Sequence, residues 1–179
     1  MPVPRVVASL LLGVMLAAPA TAAEIRRAPE ISLRDLNGTK VKLDYGSSRL
    51  TLVNFWATWC LPCREEMPLI AKLVEAHRGN GLRAVGVAME SGGAAGVRKF
   101  LGQNRDLGVN YDILLGNDGV QEKFGGFESV PTTLLIDSSG VILKTYVGIT
   151  SNFERIVGEE IAQRLGSSGG SQTAPAAKP

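Results

Sequence analysis

The chain reads as one α/β domain: a mixed β-sheet flanked by helices, with an N-terminal β-hairpin and a central insertion. Three observations predict this. Two near-continuous apolar runs of strand length, 50–56 and 82–89, enclose a stretch of helical spacing, as a β-α-β unit requires. A third run, 132–137, is followed after Ser138-Ser139-Gly140 by a fourth, 141–147, so these two form a hairpin. The last periodic segment is an amphipathic helix on which Phe153, Ile156, Val157, Ile161 and Leu165 share a face.

Residues 31–43 contain two short strands around Asn37-Gly38, a strong hairpin turn signal. Residues 50–56 have the composition of a strand covered on both faces. The helix expected over 61–77 places Met67, Ile70, Leu73, Val74 and His77 on one side. Pro68 inside it predicts a kink, because proline removes a backbone donor and crowds the preceding turn. Between 89 and 132 lies the insertion. Val97, Phe100 and Leu101 mark a helix over 94–104, 111–115 a short strand, 120–124 a brief helix, and Gly125-Gly126 a turn. The final helix is expected from Ser151, with Glu154 placed to complete a capping box.

Both ends fall outside this domain. Residues 1–22 have a positive start, an apolar run over 6–18 and small residues at Ala20 and Ala22, which is the pattern of a secretory signal cleaved after Ala22. An uncleaved membrane anchor is the alternative, and either puts the domain outside the cytoplasm, a periplasmic or other extracytoplasmic location. Residues 23–29 read as a linker, 30–165 as the domain, and 166–179, rich in Gly, Ser, Ala and Pro, as a disordered tail. Net charge is +2 and falls to +1 when Arg5 leaves with the signal (2 − 1), which gives no reason to expect nucleic-acid binding or strong attraction to an anionic membrane.

The two cysteines, Cys60 and Cys63, are three apart. A loop that short constrains the unfolded chain little, so the pair is expected to be chemical rather than structural. It sits where a strand hands over to a helix. Cys60 would lie exposed at the helix N-terminus, where unpaired N–H groups and the macrodipole favour a thiolate. Cys63 would lie one turn inside as the resolving thiol. A zinc site needs about four ligands, and two cysteines with one histidine do not supply them. No metal or other cofactor is expected. His77 is expected to cap or pack against its helix. Glu65 and Glu66 could be no more than first-turn charges favoured by the dipole. Pro131 could be a strand-start proline.

Leu52 to Pro68, running through Trp56-Ala57-Thr58-Trp59-Cys60-Leu61-Pro62-Cys63-Arg64-Glu65-Glu66, resembles the active-site segment of the TlpA/ResA-like branch of the thioredoxin superfamily. Val130-Pro131-Thr132-Thr133 through Asp137, with Gly140, resembles that family's second signature. The similarity spans about residues 29–165. It implies a thioredoxin-like fold, a cis-proline at Pro131 facing the cysteines, and a backbone at Val130 free to pair with an extended substrate. It also implies that Glu66, a partly buried carboxyl with raised pKa, exchanges protons with Cys63. Asn54 stands where thioredoxin itself has an aspartate, which moves any proton relay toward Glu66; the alternative is that Asn54 only satisfies backbone groups. Trp59, and Trp56 unless it is plain core, would shape the surface beside Cys60.

The resemblance further implies a protein that reduces or exchanges disulfides in partner proteins, such as cytochrome c or copper-assembly factors, and is recharged by a membrane-bound thiol donor; a monomer is expected. Thr132 stands where the cytochrome-maturation subgroup often has glutamate. A net disulfide oxidant is the main alternative, since Leu61, Pro62 and Val130 differ from thioredoxin at positions that influence redox poise. A thiol peroxidase would need a Thr-x-x-Cys site, and Thr58 is wrongly spaced from Cys60. A binding module with a vestigial redox site would lack insulin-reducing activity.

Overall fold

The computed structural model describes residues 26–89, 92–117 and 119–167. The signal read in 1–22 and the chain beyond 167 lie outside the described residues. Seven strands form one sheet: β1 (Ser32–Asp35), β2 (Lys40–Lys42), β3 (Leu50–Trp56), β4 (Leu82–Ala88), β5 (Asp112–Leu115), β6 (Thr132–Asp137) and β7 (Ile142–Val147). Four α-helices accompany them among the described residues: α1 (Leu61–His77), α2 (Gly93–Gln103), α3 (Val120–Lys123) and α4 (Phe153–Ser167). The strand order is β2-β1-β5-β4-β3-β6-β7. β3, β4 and β5 run parallel, and β1 and β6 join them antiparallel.

All seven residues of β3 are buried, as its unbroken apolar run requires. Alternation divides them. Val53 and Phe55 join a core with Ile31, Leu33, Tyr45, Val85, Leu134, Ile136 and α3's Val120. Leu50 and Leu52 face the other way, against Ile70, Leu73 and Val74 of α1 and Phe153, Val157 and Ile161 of α4. Each such side chain contributes roughly 1.5–3 kcal/mol when fully buried. The steps from β3 to β4 and from β4 to β5 go the same way across the sheet. Right-handed crossovers therefore put α1 and α2 on one face, and Val97 and Phe100 of α2 pack there with Trp56 and Met67. α3 covers the opposite face. α1 runs unbroken through Pro68, seven residues after its start.

The insertion does more than extend a loop. Its strand β5 lies between β4 and β1, so the N-terminal hairpin joins the sheet only through it, by Arg34↔Leu115 and Asp35↔Leu114. The expected linker is pinned at its end: Arg27 bridges Val141, and the Ala28 N–H donates to Gly140 O at 2.8 Å. That pairing covers the start of the β7 edge. α4 begins at Phe153 rather than Ser151 and reaches Ser167, two residues into the expected tail. Glu154 does not close a capping box. It is the second residue of the helix, one short of the capping-box position, and its carboxylate faces Lys72 of α1 at 3.5 Å.

The two hairpins share one turn chemistry. In the first, the Asp35 N–H donates to Thr39 O at 2.9 Å and the Gly38 N–H to Asp35 O at 3.1 Å. In the second, the Asp137 N–H donates to Val141 O and the Gly140 N–H to Asp137 O, both at 3.0 Å. Each is a three-residue loop closed by a left-handed glycine, Gly38 at φ 84° and Gly140 at φ 81°. The first is therefore not the two-residue turn that Asn-Gly most often signals. Each aspartate carboxylate also accepts from the backbone two and four residues on: Asn37 and Thr39 at 2.8 Å, Ser139 and Val141 at 2.9 Å. Asp137→Ala is expected to destabilise the fold by about 1–2 kcal/mol, the worth of a few partly exposed hydrogen bonds. Asp137→Asn should lose much less, because the accepting oxygen remains. Urea unfolding of the two variants checks both.

Candidate active site

β3 ends at Trp56, and the Met89 N–H holds its carbonyl at 2.7 Å. The chain then turns tightly, with the Cys60 N–H donating to Ala57 O at 3.2 Å, and α1 begins at Leu61. Cys60 is the N-cap residue of α1, in extended conformation (φ −85°, ψ 107°), and its sulfur accepts from the Cys63 N–H at 3.2 Å. Pro62 falls where a helix leaves donors unused, so its missing N–H is harmless. Cys60 and Cys63 are joined as a disulfide, S–S 2.05 Å. The acceptor in this hydrogen bond is a disulfide sulfur, standing where a reduced Cys60 would carry its thiol or thiolate.

One expectation is corrected here. Cys60 is only 3% exposed in the disulfide form, little more than Cys63 at 1%. What meets solvent is the pair of side chains on either side of Cys60: Trp59 is 64% exposed and Leu61 69%. Trp56 is core, stacked obliquely on Phe100 with ring centroids 5.5 Å apart, and shapes no surface. His77 is the half-buried last residue of α1 and makes no side-chain cap to the turn that follows.

The second signature arrives from the neighbouring strand. β6 pairs with β3 so that Thr132 lies opposite Phe55 and Thr133 opposite Asn54, which brings the residues just before β6 to the cysteine end of β3. The Val130–Pro131 bond is cis. The Val130 carbonyl oxygen lies 3.6 Å from the Cys60 sulfur. Two hydrogen bonds hold this loop: the Thr132 hydroxyl donates to Ser129 O at 2.7 Å, and the Gly148 N–H to Pro131 O at 2.8 Å.

Glu66 is not a first-turn helix charge. It lies in the second turn of α1, on the face that carries Cys63 one turn earlier, and is 1% exposed. Its carboxylate meets two neutral donors: Asn54 Nδ2 at 2.8 Å to one oxygen and the Thr133 hydroxyl at 2.9 Å to the other. Asn54 Nδ2 also donates to Thr133 Oγ1 at 2.8 Å, closing a triangle across α1, β3 and β6. Burial outweighs both hydrogen bonds and pushes the Glu66 pKa up to about 7. The carboxyl therefore populates both protonation states near neutral pH.

Sequence reasoning missed three residues of this region. Thr133 was part of the second signature, but its pairing with Glu66 depends on the β3–β6 register. Arg64 donates to Thr58 O at 3.3 Å while its guanidinium lies 5.0 Å from the centre of the Phe100 ring, so it ties the cysteine loop to α2. Tyr111, from the insertion, lies near enough to Glu66 for that charge to reinforce burial in raising the phenol pKa. No local sequence signal points to either contact.

The raised Glu66 pKa makes a stability prediction. Between its unfolded value near 4.5 and its folded value near 7, the native state holds a proton that the unfolded chain has released. Stability of the oxidised protein should therefore fall as pH rises through that window, by about 3 kcal/mol if Glu66 acts alone, and level off above it. Glu66→Gln should remove this slope. Denaturant unfolding of wild type and variant between pH 4 and 8 checks it, and parallel curves would contradict it.

Comparison with known proteins agrees with this geometry. The AhpC/TSA family profile matches residues 25–145. The thioredoxin-like protein YneN of Bacillus subtilis (strain 168) is 36% identical over 135 residues, 73% of this chain and 75% of that protein. The thiol-disulfide oxidoreductase ResA of the same organism is 31% identical over 121 residues, 68% of this chain and 65% of ResA. Among solved structures, a thiol:disulfide interchange protein of the thioredoxin family from Chlorobium tepidum TLS superposes with a TM-score of 0.68 at 25% identity, over 81% of this chain and 99% of that one. The chain belongs to the AhpC/TSA family, has a thioredoxin-like fold, and is a thiol–disulfide oxidoreductase of the ResA type whose Cys-x-x-Cys pair is Cys60 and Cys63.

Proposed function

We propose that this protein reduces or exchanges disulfides in partner proteins outside the cytoplasm, with Cys60 as nucleophile and Cys63 as resolving thiol. The observation that carries the assignment of roles is the Cys63 N–H aimed at the Cys60 sulfur from the first turn of α1. That donor and the helix dipole favour negative charge on Cys60 and do nothing comparable for Cys63. The Cys60 thiolate attacks one sulfur of a substrate disulfide, and the other leaves as a thiolate. The Cys63 thiol then gives its proton to the Glu66 carboxylate and attacks the Cys60 sulfur. The second substrate thiolate leaves, and Cys60–Cys63 closes as the disulfide. The substrate has gained two electrons and the protein has lost them.

The exposed Trp59 and Leu61 supply an apolar landing surface, and the Val130 backbone beside Cys60 is placed to pair with an extended substrate segment. Substrates of the class handled by cytochrome c and copper-assembly pathways fit the family resemblance. A membrane-bound thiol donor then returns the pair to the dithiol state. The protein works as a monomer. A cleaved signal at 1–22 delivers it, and the described helices include none long and apolar enough to cross a membrane.

Two measurements test this reading. Cys63→Ser keeps the nucleophile and loses the resolving thiol, so it should accumulate mixed disulfides that dissolve under reductant and whose contents name the substrates. Cys60→Ser should form none and lose all reducing activity toward insulin. Capture by the Cys60 variant alone would reverse the roles. For export, intact mass of protein from the extracytoplasmic fraction should show a chain beginning near Ala23, and a chain beginning at Met1 in detergent extracts would make residues 1–22 an anchor.

A further inference from the structure

The triangle of Asn54, Glu66 and Thr133 borders a group of polar atoms that the chemistry above does not use. Asn54 Oδ1, Trp56 Nε1 and the Tyr111 hydroxyl are all buried, and each lacks a hydrogen-bond partner among the described residues. Their residues are neighbours around Gly86. Asn54 and Trp56 are two apart on β3 and point to the α1 face. Gly86 is the register partner of Asn54 on β4. A Cβ added to Gly86 would stand 3.0 Å from Trp56 Nε1, 3.2 Å from Tyr111 Cε2 and 2.7 Å from Ile113 Cδ1. The indole N–H and the phenol ring thus converge over the one residue of this stretch that has no side chain.

The three atoms are chemically complementary. The indole N–H only donates, the amide oxygen only accepts, and the phenol can do either. The amide orientation follows from its other end, since Nδ2 serves Glu66 and Thr133 and leaves Oδ1 turned away from them. Buried polar groups of this kind find a partner in protein or in ordered water, and a buried water takes two to four polar partners. We propose that Trp56 Nε1, Asn54 Oδ1 and the Tyr111 hydroxyl together hold one ordered water molecule, and that Tyr111 and Trp56 are thereby positioning residues for the Asn54–Glu66 hydrogen bond. A water donating to Oδ1 polarises the same amide whose Nδ2–H reaches the Glu66 carboxylate, so it strengthens that bond and favours the charged carboxyl. Among the described residues, the titratable group acting on Glu66 is Tyr111, from the turn before β5, and Cys63, one turn earlier on the same helix, is held in the disulfide. Asn54 of β3 and Thr133 of β6 are neutral.

The consequence for exchange rests on the proposed role of Glu66, but the site itself does not, and the experiment separates them. It uses the oxidised protein, in which neither cysteine titrates. In water-selective NMR, the buried indole N–H should show the cross-relaxation of a long-lived bound water. The Trp59→Phe variant assigns that signal, since the chain has two tryptophans. Tyr111→Phe should abolish or weaken the cross-peak. It should also raise the midpoint of the Glu66 carboxyl ¹³C titration by about half a pH unit, roughly a threefold weaker acid, while the unfolding midpoint at pH 4, where Glu66 is protonated, stays close to wild type. A Trp56 N–H with no bound-water signal overturns the site. An unchanged Glu66 titration in Tyr111→Phe overturns the positioning role. Wild-type exchange rates in Glu66→Gln would remove Glu66 from the catalytic cycle without touching either of those results.

Discussion

The packing of α1 onto β3 is the constraint from which the rest follows. Burying all of β3 requires a helix over the face that carries Leu50, Leu52, Asn54 and Trp56, and α1 supplies Ile70, Leu73, Val74, Met67 and Cys63 to that face. The helix must then begin at the end of β3, and its first residues must lie beside the start of β6. Cys60 at the N-cap and Val130 next to it are consequences of this docking. So is the burial of Glu66, which falls on the docked face because helical spacing puts it one turn after Cys63 and one turn before Ile70.

Glu66 is the one fully buried carboxylate among the described residues. A structural explanation for such a group would show a cation beside it, because an unpaired buried charge is costly. The chain instead provides an amide and a hydroxyl, two neutral donors that favour the charged carboxylate less strongly than burial opposes it. Burial raises the pKa of this carboxyl on the helix face that carries Cys63 one turn earlier, which is where the proposed proton exchange would use it. Asn54 contributes as a donor to this group rather than as an acid of its own. An asparagine side chain cannot relay protons, and its double donation to Glu66 and Thr133 came from the β3–β6 register.

The insertion has a larger structural part than its place in the sequence suggests. Through β5 it carries the N-terminal hairpin on the sheet, through Phe100 it buries Trp56 and braces Arg64, and through Tyr111 it reaches Glu66. A segment that looks like an elaboration between two halves of a fold is therefore in contact with both the cysteine loop and the buried acid. The redox site thus packs against a region that lies outside the two signature segments.

The amino-acid sequence by itself determined what depends on local chemistry and periodicity. The unbroken apolar runs set β3 and β4, the spacing of Val97 and Phe100 set α2, and two cysteines three apart at a strand-to-helix junction set the redox pair. Cys60 at the N-cap was legible because a helix N-terminus and its donors are local features. Tertiary structure decided whatever depends on register and on which elements become neighbours. Thr133 meets Glu66 only because β6 pairs with β3 in one alignment, and a slip of one residue would turn its side chain to the opposite face. Tyr111 reaches the same site only because β5 enters the sheet next to β4. The near-complete burial of Cys60 was equally out of reach, since it depends on Val130, seventy residues away in sequence, packing beside it.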